Sequence, residues 1–215
     1  MTTRITAVVF DLGGVLIDWN PRHLYRKIFG AQEAAMERFL AEVCSQEWNA
    51  RLDAGRPFAE GVAELVRAHP DQADLISAYE LRWPEMLGDA LEETVAILRE
   101  LRRAGLRTYA LSNWSAETFS VTRARYPFLD EMDGILISGE VNVGKPDPAI
   151  FRHFLARFGL AAQNTVFIDD WERNVTAAAG LGMTAIRFAD ATQLRSDLRG
   201  LGLPLEADDP STRVR

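Results

Sequence analysis

Val8-Val9-Phe10-Asp11-Leu12-Gly13-Gly14-Val15-Leu16-Ile17-Asp18 decides the fold of this chain. A short apolar run ends in a carboxylate, and two glycines follow at once. Such a run, bounded by turn residues, reads as a buried strand of a parallel sheet. Ligands of open α/β sheets bind just beyond the carboxyl ends of the strands, where Asp11 stands. Gly13-Gly14 lets the backbone turn sharply and approach a ligand. An aspartate at this place serves as a nucleophile, as a metal ligand or as both. Alone it would also suit a helix cap, so the reading depends on the other strand ends.

Five strands are expected, at residues 5–10, 107–111, 134–137, 165–168 and 184–188. Helical patterns separate the last four at βαβ spacing. Leu91, Val95, Leu98 and Leu101 recur at three and four, and Arg102, Arg103 and Gly105 close that helix. Asp147 and Pro148 open another as N-cap and first residue; Ile150, Phe151, Phe154, Leu155 and Phe158 form its buried face, and Gly159 ends it. An Ala-rich helix is expected over residues 174–181. Between the first two strands the chain shows no convincing strand, only helical patterns at 33–47, 58–69 and 72–85. A structureless crossover of that length would be implausible. The expected fold is therefore α/β: a Rossmann-like, three-layer core with a parallel sheet, plus a small helical cap inserted after the first strand. Residues 1–17 and 90–203 are assigned to the core, 18–89 to the cap and 204–215 to a flexible tail.

Composition narrows the function. The 215 residues suit one domain with an insertion, and the net charge of −7 argues against non-specific nucleic-acid binding. No 18-residue apolar stretch predicts a membrane span, and nothing resembles a signal peptide. The single cysteine, Cys44, reads as a small buried apolar residue, and a cytoplasmic location is expected. Monomer and homodimer both remain open.

The strand ends supply Asp11, then Ser112 and Asn113, then Asp169 and Asp170, while Gly144-Lys145-Pro146 follows the third expected strand. A parallel sheet gathers these ends along one crevice. Clustered carboxylates repel unless a cation lies among them, and hard oxygen ligands suit Mg²⁺. Lysine and hydroxyl donors suit an anionic substrate, phosphate above all.

Four motifs carry this set: Phe-Asp-Leu-Gly-Gly-Val (10–15), Leu-Ser-Asn-Trp (111–114), Gly-Lys-Pro-Asp-Pro (144–148) and Phe-Ile-Asp-Asp-Trp-Glu-Arg-Asn (167–174). In this order they resemble the haloacid dehalogenase-like hydrolases over nearly the whole chain, and the helical insertion looks like that superfamily's C1-type cap. The resemblance implies that Asp11 takes up a phosphoryl group as an aspartyl phosphate, which splits one hard displacement into two easier ones. It implies Asp11, the Gly13 carbonyl and Asp170 as Mg²⁺ ligands, with Asp169 binding through water or orienting the site. Ser112 and the backbone at Asn113 would hold phosphoryl oxygens, and Lys145 would offset the charge. Asn174 is read either as a residue behind these ligands or as an exposed helix position.

Gly13 departs from the pattern, because phosphatases of the superfamily usually carry a second aspartate there as acid and base. Its absence removes a contribution of roughly 10²–10⁴-fold. Three explanations are open: a leaving group that needs little help, such as a sugar 1-phosphate; another acid, such as Asp18 or a cap residue; or a halide as leaving group. The last revives a metal-free 2-haloacid dehalogenase, but those enzymes usually lack the acidic pair Asp169-Asp170. Loss of turnover would leave a non-catalytic protein binding a phosphorylated ligand. The motif form also resembles a sugar-1-phosphate phosphatase branch. The favoured expectation is a Mg²⁺-dependent phosphatase of a small phosphorylated metabolite. Trp48 and Arg51 are candidate substrate contacts, although Trp48 equally suits the core of the cap. Trp19, Asn20, His23, Asn49 and Asp53 lie in or near the same segment.

Overall fold

Every residue of β1 (Ala7–Phe10) is fully buried, as a strand covered on both faces requires. The computed structural model describes residues 4–206. After β1 come β2 (Ile17–Trp19) and five helices: α1 (Arg22–Phe29), α2 (Glu33–Glu42), α3 (Gln46–Asp53), α4 (Phe58–Ala68) and α5 (Ala73–Leu81). The chain continues through β3 (Leu87–Ala90), α6 (Glu92–Arg103), β4 (Arg107–Ser112), α7 (Ala116–Arg125), β5 (Gly134–Ile137), α8 (Ser138–Val141) and α9 (Pro148–Phe158). It closes with β6 (Thr165–Asp169), α10 (Glu172–Gly180), β7 (Thr184–Arg187) and α11 (Ala191–Gly200).

The main sheet runs β5-β4-β1-β6-β7, with every neighbouring pair parallel. Alternate residues of a strand face opposite sides. Val8 and Phe10 accordingly pack in one cluster with Val95 and Leu98 of α6 and Leu194 and Leu198 of α11. Ala7 and Val9 pack in the other with Ile150, Phe151 and Phe154 of α9 and Ala178 of α10. These are the three layers expected from the sequence. Asp147 caps α9 by accepting from the Ala149 N–H at 2.8 Å, and Gly159 ends the helix in the left-handed region.

Several boundaries differ from expectation. The first strand begins at Ala7 rather than at residue 5, and the last ends at Arg187. A two-stranded antiparallel ribbon, β2 with β3, stands where no strand was expected. Three- and four-residue strands are too short to show a period. One helix expected over 33–47 is two, because Ser45 turns extended and caps α3 by accepting from the Trp48 N–H at 3.3 Å. Of the residues assigned to the tail, Leu205 is buried, and the Glu206 N–H donates to Glu100 at 3.2 Å, so these two pack on the core. Residues 207–215 lie outside the described residues.

The buried residues of the five helices between β2 and β3 join the same apolar cluster as the Val8 and Phe10 face of the sheet, and aromatic rings meet within it. Tyr25 and Phe39 lie 5.1 Å apart, and Trp48 meets Tyr79 edge-on at 4.9 Å. The insertion sits over the carboxyl edge of the sheet. Its α3–α4 turn touches the core at three points: the Phe58 N–H donates to Glu117, the Ser138 hydroxyl donates to the Asp53 carbonyl, and Gly55 lies against the Asn142 side chain. Gly55 has φ +99, a conformation that favours glycine.

Candidate active site

The carboxyl ends of β1, β4 and β6 bring Asp11, Ser112 and Asp169 side by side, as parallel pairing on both flanks of β1 dictates. Asp11 Oδ1 accepts from its neighbour's Leu12 N–H at 2.7 Å and from the Ser112 hydroxyl at 2.6 Å, and lies 2.9 Å from Lys145 Nζ. Among the described residues no donor bonds to Oδ2. One oxygen is thus held by three donors, and the other is left for chemistry.

Lys145 is the charge centre of the cluster. Its fully buried ammonium donates to Asp169 at 2.6 Å and to the Leu111 carbonyl at 2.9 Å, besides facing Asp11. Asn113 fixes the lysine backbone from both sides: its amide oxygen accepts from the Lys145 N–H at 2.7 Å, and its amide nitrogen donates to the Lys145 carbonyl at 2.9 Å. The Asn113 side chain therefore positions Lys145, a task the sequence does not disclose. Asn174 is buried, and its amide donates to both oxygens of Asp169 at 3.0 Å. Of the two readings of Asn174, the structure selects the residue behind the carboxylates.

Burial pushes the Asp11 carboxyl up to about 7; Lys145 and the Ser112 hydroxyl pull it down, while Asp169 and Asp170 add to the rise. Burial followed by the charge of Asp169 pushes Asp170 up to about 6. Burial works against the Lys145 ammonium, but Asp11 and Asp169 outweigh it and hold Lys145 above its usual range. These shifts describe carboxyls that burial holds up first and neighbouring carboxylates second, with Lys145 opposing both.

Asp11, Asp169 and Asp170 each offer an oxygen within 4.8 Å of the others. Among the described residues Asp170 Oδ1 is buried without a hydrogen-bond partner. An orphaned buried carboxylate oxygen costs free energy unless a cation takes it up. The donor set is all oxygen, so it fits a hard divalent cation. Gly14 makes the approach feasible: at φ +77, a Cβ there would lie 2.7 Å from Asp170 Oδ2.

Asp11, Ser112, Lys145 and Asp170 line the floor of a cavity of about 670 Å³ whose roof is the helical insertion. Trp19, Trp83, Trp114 and Tyr79 supply aromatic wall, and Asn20, Asn49 and Asp53 supply polar wall. Two expected substrate contacts are corrected. Trp48 is almost fully buried, with its indole N–H donating to the Gly61 carbonyl at 3.2 Å, so it packs inside the insertion. Arg51 does not line the cavity; its side chain is half-exposed and lies 4.0 Å from Glu64. Asp18 faces His23 at 2.9 Å and does not line the cavity, which removes it as the substitute acid. Trp114 was legible as a neighbour of the strand-end motif, whereas Trp83 and Tyr79 reach the cavity only through the packing of the insertion.

The profile of the haloacid dehalogenase-like hydrolases matches residues 5–182. The chain belongs to this family of hydrolases. It is 29% identical over 203 residues to sesquiterpene phosphatase astK of Aspergillus oryzae, covering 94% of this chain and 98% of that one. A HAD-family enzyme of Bacteroides thetaiotaomicron, solved with magnesium and inorganic phosphate, aligns at 25% identity and a TM-score of 0.64, over 86% of this chain and 95% of that one. A predicted HAD-like hydrolase of Porphyromonas gingivalis aligns with a TM-score of 0.69 at 25% identity, over 94% and 99% of the two chains.

Proposed function

We propose that this hydrolase is a Mg²⁺-dependent phosphomonoesterase acting on a small phosphorylated metabolite, with sugar phosphates among the candidates. The observation that carries the reading is the buried cluster of Asp11, Asp169 and Asp170 around a single lysine, with one oxygen of Asp11 and one of Asp170 left without hydrogen-bond partners among the described residues. Displacement at carbon by a lone aspartate gives no reason for three facing carboxylates. The relatives named for phosphatase activity and for a magnesium–phosphate complex support the same reading.

Asp11 Oδ2 is the nucleophile in this reading, aimed by the three donors on Oδ1. It attacks phosphorus, the ester P–O bond breaks, and the phosphoryl group passes to Asp11. Water then attacks the same phosphorus and releases inorganic phosphate. Asp11, Asp170 and the Gly13 carbonyl would hold the Mg²⁺, with Asp169 beside them. When bound, the ion supplies positive charge to the carboxylates and to the phosphoryl oxygens. Lys145 adds a fixed cation that needs no reorganisation during transfer. Asp169 and Asn174 keep Lys145 in place. The helical insertion acts as the cap: it roofs the cavity, excludes water and presents the walls that select the alcohol moiety.

Phosphate release from a panel of sugar, amino-acid and alkyl phosphates, each with Mg²⁺ and with EDTA, tests the reading. Mg²⁺-dependent release from some of these esters is the expected result. Halide release from 2-haloacids without metal, and no release from any ester, would overturn it.

A further inference from the structure

Gly13 leaves the reaction without a proton donor on the core side of the cavity. Among the described residues, five carboxylates line that cavity: Asp11, Glu37, Glu47, Asp53 and Asp170. Asp11 and Asp170 belong to the cluster. Glu37 is clamped by Arg22 through two bonds of 2.6 Å, which makes it a poor proton donor. Glu47 is an exposed residue of the first turn of α3. Asp53 is different. It ends α3, lines the cavity from above and stands near enough for the charge of Asp11 to act on it.

We propose that Asp53, held over the cluster by the helical insertion, is the acid and base of the reaction, replacing from the cap side the aspartate that Gly13 lacks. This rests on the phosphatase reading above. The carboxyl is placed from both halves of the molecule. Asn49 donates to Asp53 Oδ2 at 2.8 Å, and the Tyr79 hydroxyl donates to Asn49 Oδ1 at 2.8 Å, so a buried polar chain of the insertion orients it. From the core, the Ser138 hydroxyl bonds the Asp53 carbonyl, and the Ser115 backbone N–H bears on the carboxyl electrostatically. Asp53 is in position only when the insertion is seated on the core, which ties proton transfer to closure.

The proton balance closes. As Asp11 attacks phosphorus, the electron pair of the breaking P–O bond goes to the ester oxygen, which takes the Asp53 proton and leaves as an alcohol. The Asp53 carboxylate then takes a proton from the attacking water. The P–O bond to Asp11 breaks, its electrons return to the Asp11 carboxylate, and Asp53 is again protonated. The environment suits an acid that must be protonated near neutral pH. Burial pushes the Asp53 carboxyl up to about 8; the Ser115 backbone N–H and the Asn49 bond pull it down, and Asp11 adds to the rise. The titratable groups bearing on it are Asp11 from the core and Tyr79, which reaches it through Asn49.

The test compares kcat/KM for a primary alkyl phosphate and for p-nitrophenyl phosphate, with Mg²⁺, in the wild type and in Asp53→Asn. The alkyl ester needs a proton on its leaving oxygen; p-nitrophenolate leaves without one. Asp53→Asn is expected to lower kcat/KM for the alkyl ester by about 10²–10⁴-fold and for the aryl ester far less. In the wild type, the alkyl-ester rate declines as pH rises through about 8, and that limb disappears in the variant. Adding Gly13→Asp to Asp53→Asn restores alkyl-ester turnover. The site has room, since a Cβ at Gly13 would lie 3.7 Å from Trp114 and from Trp19, in ordinary contact. Equal losses on both esters, or an unchanged alkyl rate, would overturn the proposal while the phosphatase stands. A wild type that releases phosphate from neither ester, nor from any member of the wider panel, overturns the phosphatase reading first.

Discussion

At the scale of the residue, the site is organised by an imbalance of charge. Three carboxylates face one ammonium, and Asp170 keeps a buried oxygen with no hydrogen-bond partner among the described residues. Gly14 is the small residue that makes this crowding possible. Alanine there would take φ +77, which costs roughly 1–2 kcal/mol, and its Cβ would press on Asp170 Oδ2. Gly14→Ala is therefore expected to weaken Mg²⁺ activation more than it weakens folding. A titration of activity against Mg²⁺ checks this, and an unchanged half-saturating concentration would count against Asp170 as a ligand. The strand-end residues Asp11, Ser112, Asp169 and Asp170 were legible in the sequence because each lies at the end of an apolar run, whereas Lys145, separated from β5 by α8, was legible from the Gly144-Lys145-Pro146 motif. The positioning tasks of Asn113 and Asn174 were not, since a side-chain amide gives no periodic signal and its partner is decided by tertiary contact.

Among the elements, the five strands of the sheet and the helices α6 and α9 were legible from apolar spacing and from capping residues. The β2–β3 ribbon escaped because so few residues carry no pattern. The insertion was legible as helical, but which of its faces looks into the cavity was not. Trp48 shows why: spacing alone does not separate a ring turned to the substrate from a ring turned to Tyr79. With Trp48 almost fully buried and hydrogen-bonded to Gly61, Trp48→Ala is expected to cost about 3–5 kcal/mol of stability. Arg51→Ala, at a half-exposed position, is expected to leave both stability and substrate ranking nearly unchanged. Denaturant titration and the ester panel distinguish these outcomes. A large change in ranking with Arg51→Ala would return that residue to the cavity.

The whole molecule carries the strain of its site as a dependence of stability on pH. In the folded protein without metal, Asp11 keeps its proton up to about 7, whereas the unfolded chain releases it near 3.8. Asp170, held up to about 6, and Asp53, held up to about 8, act with the same sign. The unfolded state thus binds fewer protons between these values, and the stability present at low pH is lost as pH rises through them. Carboxylates held low by arginine partners, such as Glu100 and Glu131, work in the opposite sense, but only below their ordinary 4.5. The metal-free protein should therefore melt at a falling temperature from about pH 5 to about pH 8, and Asp11→Asn should flatten that slope. Mg²⁺ should raise the melting temperature more at the upper end, where its ligands are deprotonated. A slope that Asp11→Asn leaves intact would place its origin elsewhere.

The central claim is that Asp11 carries the phosphoryl group, and mass analysis of the rapidly quenched enzyme tests it most directly. During turnover of a phosphate ester with Mg²⁺, the peptide containing Asp11 should gain the mass of one phosphoryl group. The gain should be absent with EDTA and in Asp11→Asn. Turnover with that peptide unmodified, or the peptide alkylated by a 2-haloacid in the absence of metal, would contradict the account.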